Sequence, residues 1–121
     1  MSKRILLVED QPDNRQIIRD LLSATDYELT EAENGEQALA AVAKQRPDLI
    51  LMDIQLPIMD GYEATRRIKA DPASRSIPII AVTSYALSGE ETKVRAAGCD
   101  GYVTKPYSPR LLLAKIREFL P

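Results

Sequence analysis

Short, continuously apolar runs recur along the chain and are separated by longer stretches of helical period, the signature of alternating strands and helices. The spacing predicts strands at Arg4–Val8, Tyr27–Ala32, Leu49–Met52, Ile79–Val82 and Tyr102–Thr104. Ile5-Leu6-Leu7-Val8, Leu49-Ile50-Leu51-Met52 and Ile79-Ile80-Ala81-Val82 carry no polar residue, so these strands should be covered on both faces and lie centrally. The second run alternates in polarity and the fifth is short, as expected of edge strands. Between them, Ile17, Ile18, Leu21 and Leu22 give a first helix one apolar stripe, starting near Pro12 or Asp13. Asn34 with Gln37 resembles a capping pair ahead of Ala38, Leu39 and Val42. A third helix runs from about Gly61 to Ala70 and stops before Asp71-Pro72. Ser88-Gly89-Glu90-Glu91 has the form of a capping box for the fourth, which Gly98 closes. Ser108 with Pro109 forms an N-cap and N1 pair for the fifth, lined by Leu112, Leu113, Ile116 and Phe119.

Strict βα alternation implies right-handed crossovers and a parallel sheet. Together with three buried and two edge strands it predicts an α/β fold of three layers. This is a doubly wound five-stranded parallel sheet in the order 2-1-3-4-5, with flavodoxin-like topology. No linker, repeat or low-complexity segment interrupts the pattern, so residues 1–121 are expected to form one domain.

Composition narrows the chemistry. A net charge of -2 gives no basic stripe for nucleic acid. The basic cluster Thr65-Arg66-Arg67-Ile68-Lys69 falls at helical spacing among apolar residues, as on a solvated helix face. The lone cysteine, Cys99, rules out an internal disulfide framework, suits a reducing compartment and fits best as a small loop filler. There is no leader pattern, and apolar runs of four to five residues fall far short of the roughly 20 that span a bilayer. The chain is therefore expected to be soluble and cytoplasmic. The chain has no histidine, which excludes Ser-His-Asp and Cys-His catalysis, histidine-ligated metal and a phosphohistidine of its own.

In such a sheet, ligands bind beyond the strand C-termini where the strand order reverses, here between the first and third strands. Glu9 and Asp10 follow the first strand, Asp53 the third, Thr83 the fourth, and Lys105 with Pro106 the fifth. Any one of these alone would be an ordinary strand-end polar residue; five of them at one sheet edge form a constellation. Three acids and one lysine leave the cluster two charges negative. Crowded carboxylates of this kind take up protons or recruit a cation, and hard oxygen ligands suit Mg²⁺. The cation would let the cleft attract a phosphoryl group, which a carboxylate can accept as an acyl phosphate. Mg²⁺, the Lys105 ammonium and the Thr83 hydroxyl with a backbone N–H would each neutralise one phosphoryl oxygen.

These residues carry a family resemblance. Leu7-Val8-Glu9-Asp10, Leu51-Met52-Asp53-Ile54-Gln55-Leu56-Pro57-Ile58-Met59-Asp60-Gly61, Val82-Thr83-Ser84 and Tyr102-Val103-Thr104-Lys105-Pro106 together resemble the CheY-like receiver domain of bacterial response regulators, from Lys3 to Leu120. The resemblance implies that Asp53 is the phosphoacceptor, fed by a sensor histidine kinase or a histidine phosphotransfer protein. It implies Mg²⁺ held by the carboxylates of Asp10 and Asp53, by Glu9 through water and by the Gln55 carbonyl. Thr83 would be the switch hydroxyl, Tyr102 the switch aromatic and Lys105 the phosphate-facing lysine, with Lys105-Pro106 cis. Phosphorylation would reshape the surface of the fourth helix, fifth strand and fifth helix, and so regulate a downstream effector protein. Pro57 and Gly61 serve only to shape a turn in this reading.

The same resemblance implies a protein that is not an enzyme, catalysing only its own phosphorylation and dephosphorylation. It would be a monomer or weak dimer without nucleic-acid or membrane partners. The stand-alone receivers, of the CheY and DivK type, match the chain's extent best, with the receiver of a longer regulator or hybrid kinase as the alternative. Gln55 and Tyr85 occupy positions that tune acyl-phosphate lifetime, and their bulk implies minutes or longer. Three rivals fit less well. A haloacid-dehalogenase-like phosphatase needs its nucleophile after the first strand and a second aspartate two residues on, where Glu9-Asp10-Gln11-Pro12 lacks that spacing. A flavodoxin needs a hydroxyl-rich phosphate loop where two acids stand, and the chain has no tryptophan to stack a flavin. A degenerate receiver would have lost an acid, the hydroxyl or the lysine, and all are present.

Overall fold

The computed structural model describes residues 2–84 and 90–121. Its elements alternate without exception: β1 (Arg4–Val8), α1 (Pro12–Ser23), β2 (Glu28–Ala32), α2 (Gly35–Lys44), β3 (Leu49–Asp53), α3 (Gly61–Ala70), β4 (Ile79–Thr83), α4 (Glu90–Ala97), β5 (Gly101–Thr104) and α5 (Pro109–Phe119). All four strand pairings are parallel, and the order is β2-β1-β3-β4-β5, as the sequence pattern implies.

The period-2 alternation of the strands sorts the core into two layers. Leu6, Val8, Ile50, Met52, Ile79 and Ala81 face one side and pack with Ala38, Ala64, Ile68 and Val94 of α2, α3 and α4. Ile5, Leu7, Leu49, Leu51 and Ile80 face the other side and meet Ile18 and Leu22 of α1 with Leu112 and Ile116 of α5. Consequently β3 and β4 are buried along their whole length, and β1 everywhere but at Arg4, while β2 is buried only at Ala32 and β5 at alternate residues.

Element boundaries differ from the sequence reading in a way that matters for function. Asp53 and Thr83 are the last residues of β3 and β4, with Asp53 opposite Val82 and Thr83 opposite Thr104 in the ladder. Both are thus anchored by the sheet rather than by a loop. Strand β2 begins one residue late because the Tyr27 N–H donates to Thr25 Oγ1 (3.2 Å) in a local turn. Strand β5 begins one residue early, at Gly101.

The caps follow the expected chemistry. Asn34 Oδ1 accepts from the Gln37 N–H (2.8 Å) and Ser108 Oγ from the Leu111 N–H (3.0 Å). Gly98, at φ 110°, closes α4 in a Schellman motif: its N–H donates to the Arg95 carbonyl and that of Cys99 to the Val94 carbonyl, both at 3.0 Å. The capping box beginning at Ser88 and the lifetime position Tyr85 lie outside the described residues. Asp60 caps α3 by accepting from the Glu63 N–H (2.9 Å), a role the sequence reading did not give it.

The basic cluster on α3 divides. Arg66 and Arg67 are exposed and pair with Glu63, as on a solvated face. Lys69 instead folds inward and donates to Asp100 Oδ2 (2.8 Å) and to the carbonyls of Ile77 (2.7 Å) and Arg75 (3.1 Å). It fastens α3 to the start of β4 and to the α4–β5 loop, so it is a structural lysine. Cys99 is buried against Thr65, and burial pushes its thiol pKa up, consistent with a packing role.

Candidate phosphoacceptor and metal site

The carboxyl ends of β1 and β3 meet at the switch point, and there Glu9, Asp10 and Asp53 bring ligand oxygens within 4.8 Å of one another. Glu9 and Asp53 are buried, at 4% and 5% exposure, and Asp10 is half-buried at the mouth. Lys105 comes across from the end of β5. Its Nζ donates to Glu9 Oε1 (2.8 Å) and to Asp53 Oδ2 (3.1 Å), and so spans the two buried acids. The Lys105 N–H donates to the Thr83 carbonyl (2.7 Å), which ties this lysine to the end of β4. Lys105-Pro106 is cis, as the family resemblance implied.

The second oxygens of these acids are also held. Asp53 Oδ1 accepts from the Gln55 N–H (3.0 Å), and Glu9 Oε2 from the Gln11 N–H (3.1 Å). Asp10 Oδ2 accepts from the Gln11 side-chain amide (3.2 Å). Thr83 is fully buried. Among the described residues no buried side-chain polar atom lacks a partner, so the cluster is preorganised rather than frustrated. Of the sequence-predicted residues, Glu9, Asp10, Asp53, Gln55, Thr83 and Lys105 lie at this one edge of the sheet. Tyr102, on β5, packs half-buried against the core layer formed with α2, α3 and α4.

Burial of Lys105 works to lower its pKa, but the hydrogen bond to Glu9 and the charges of Asp53 and Glu9 outweigh it, and the balance is raised above the ordinary lysine value. A cationic group with a raised folded-state pKa contributes stability that is fully present below its unfolded value and lost only as pH climbs through the raised one. The Lys105 cation is therefore intact throughout the neutral range.

Strand β3 leads into a tightly built turn. The Met59 N–H donates to the Pro57 carbonyl (2.7 Å), closing a three-residue turn over Ile58, which sits at φ 70° and is 75% exposed. A β-branched residue at positive φ is strained. The turn is held by the Gly35 N–H on the Met59 carbonyl (3.0 Å) and the Gly61 N–H on the Ile54 carbonyl (2.9 Å). Gly61 does more than shape a turn: a Cβ there would lie 2.2 Å from the Asp53 backbone oxygen.

One site residue had no sequence signal. Arg15 of α1 donates through Nη1 to the carbonyls of Glu9 (3.0 Å) and Asp10 (3.2 Å), while its other nitrogens pair with Glu31 (3.3 Å) and Glu33 (3.7 Å).

The donor set suits a hard divalent cation: three carboxylates converge at one rim, two of them buried, with one position half open to water. A switch-point cleft of this make on a 2-1-3-4-5 sheet is the architecture of a phosphoacceptor signalling domain. The chain belongs to the response regulator receiver domain family, whose model matches residues 5–117. It is 43% identical over 120 residues to the polar-differentiation response regulator DivK of Brucella anthropi, covering 99% of this chain and 98% of the relative. The DivK of Brucella ovis is 42% identical over the same span. Among solved structures, the receiver domain of the Pseudomonas aeruginosa PAO1 sensor histidine kinase PA1611 superposes with a TM-score of 0.91 at 39% identity, covering 99% of this chain and 98% of that one. That receiver holds a magnesium ion in its active-site cleft. The chemotaxis response regulator CheY4 of Vibrio cholerae superposes at 0.92 with 28% identity, covering 98% of this chain and 99% of its own. The chain is thus a receiver domain of two-component signalling.

Proposed function

We propose that this receiver is a phosphorylation-operated switch in which Asp53 accepts the phosphoryl group. The observation that carries the reading is the Lys105 ammonium bridging Glu9 and Asp53 at 2.8 and 3.1 Å, with Asp10 completing the acidic rim. An Asp53 carboxylate oxygen attacks phosphorus, the P–N bond of a partner's phosphohistidine protonated on its other ring nitrogen breaks, and the bond's electron pair leaves on neutral imidazole. The product is an acyl phosphate on residue 53. Asp10 and Asp53 would hold Mg²⁺ through their carboxylates, with Glu9 acting through water and Gln55 through its carbonyl, and the ion when bound would neutralise charge on one phosphoryl oxygen. Lys105 exchanges its bond to Asp53 for one to a second oxygen, and Thr83 with a backbone N–H takes the third. Tyr102 then turns inward and alters the surface of α4, β5 and α5, a two-state change biased by differential contacts to the phosphate.

The partners in this reading are a sensor histidine kinase or histidine phosphotransfer protein upstream and an effector protein downstream, met in the cytoplasm. No helix of the described residues is long and apolar enough to cross a membrane. Turnover is confined to the receiver's own phosphorylation and dephosphorylation, and the protein acts as a monomer or weak dimer.

Incubation with acetyl phosphate and Mg²⁺ is expected to add one phosphoryl group by intact mass, and chelation of the metal is expected to abolish the gain. No gain under these conditions would leave a receiver that works without phosphate. Gln55, exposed two residues after the acceptor, sets a slow hydrolysis, so the adduct should persist for minutes or longer after donor removal. Decay within seconds, followed by mass against time, would contradict that lifetime.

A further inference from the structure

Between the last residue of β1 and the first turn of α1, three residues must carry two acids to the metal rim. Gln11 is extended (φ -86°, ψ 120°), as its place before Pro12 requires, and it contributes no side-chain cap to α1. Gln11 holds one oxygen of each acid. Their peptide planes are held separately, by one guanidinium: Arg15 Nη1 donates to both the Glu9 and Asp10 carbonyls. The Arg15 side chain is only 15% exposed, and its other nitrogens form ion pairs with Glu31 (3.3 Å) and Glu33 (3.7 Å), at the end of β2 and just beyond it. Glu31 is itself gripped by Arg19 at 2.7 Å.

We infer that Arg15 is a positioning residue for divalent-cation binding, orienting Glu9 and Asp10 through their backbone carbonyls, with Glu31 orienting Arg15 in turn. The inference rests on the reading of this cleft as a cation site. Fixing both carbonyls fixes the two peptide planes, and with them the directions in which the Glu9 and Asp10 side chains leave the backbone. Groups that orient metal ligands without touching the metal contribute substantially to affinity. The geometry needs arginine: a planar fork can serve two carbonyls and two carboxylates at once, which a lysine ammonium cannot.

Two effects of Arg15 on a bound cation have opposite sign, which makes the inference testable. As a positive charge it repels the metal, so its removal should tighten binding. As an orienting group its removal should weaken binding. We expect orientation to dominate because the charge is already offset by Glu31 and Glu33.

The test is Mg²⁺ titration by isothermal calorimetry of wild type, Arg15→Met, Arg15→Lys, Glu31→Gln and Asp10→Asn, each at a temperature where circular dichroism shows it folded. The expected results are a dissociation constant raised about tenfold in Arg15→Met and at least as much in Arg15→Lys, which keeps the repulsion and loses the fork. Glu31→Gln should weaken binding by a smaller factor, and in the background of Arg15→Met it should add nothing. Binding that is unchanged or tighter in Arg15→Met, or restored by Arg15→Lys, would overturn the inference while leaving the cation site standing. Absence of binding in wild type, or binding indifferent to Asp10→Asn, would overturn the cation site and the inference with it. Should Arg15→Met fail to fold, Arg15→Lys and Glu31→Gln decide the matter.

Discussion

Gly61→Ala should cost the fold about 3 kcal/mol or more, or prevent folding outright. The added Cβ would sit 2.2 Å from the Asp53 carbonyl oxygen and 2.7 Å from the Ile54 Cα, both backbone atoms. Neither can yield by rotating a side chain. Strand β3 is buried along its length and paired on both sides, so Asp53 cannot retreat, and moving α3 would break the Gly61 N–H bond to the Ile54 carbonyl. Gly98 supplies a contrast. Its φ of 110° makes Gly98→Ala strained, but the nearest atom is Cγ of Lys69, a flexible chain at 2.9 Å. A loss of about 1–2 kcal/mol is expected there. Urea denaturation of the two variants separates them; a Gly61→Ala unfolding free energy within about 0.5 kcal/mol of wild type would contradict the close approach.

Lys105→Met is expected to destabilise the metal-free protein by about 2 kcal/mol at neutral pH, and Mg²⁺ should recover most of that loss. The lysine is 19% exposed while the side chains of Glu9 and Asp53 are 5% and 7% exposed. Removing it leaves two dry carboxylates facing each other, a cost above that of an exposed ion pair but below that of a fully buried one. A divalent cation at the rim replaces the missing charge, so the thermal shift on adding Mg²⁺ should be larger for the variant than for wild type. The raised Lys105 pKa keeps its cation intact below the alkaline range, so wild type retains this compensation throughout neutral pH. Equal Mg²⁺ shifts in the two proteins would show that Lys105 does not compensate these acids.

The fold was legible because its signals are redundant. Ile5–Val8, Leu49–Met52 and Ile79–Val82 are apolar without interruption, and only strands covered on both faces tolerate that; the alternating Glu28–Ala32 then had to be an edge. The site was legible for a related reason. Acids, a hydroxyl and a lysine at four strand ends must converge once the strand order is known. Arg15 was not legible because its partners are main-chain carbonyls, which have no letter in the sequence. The strain at Ile58 was hidden for a similar reason. Positive φ is announced by glycine or asparagine, and here an isoleucine is held in it by bonds from Gly35 and Gly61, more than twenty residues apart. Lys69 looked solvated because helical spacing locates a side chain's root and says nothing of where a long, flexible stem ends.

Asp53 is the centre of the account, and its phosphoryl bond can be located directly. Protein phosphorylated with acetyl phosphate and Mg²⁺ is treated with borohydride, which reduces an acyl phosphate to the alcohol, and is then mapped by peptide mass spectrometry. Homoserine is expected at position 53 and nowhere else, with no reduction product in Asp53→Asn. Reduction at Glu9 or Asp10, or phosphate retained undiminished in Asp53→Asn, would contradict this.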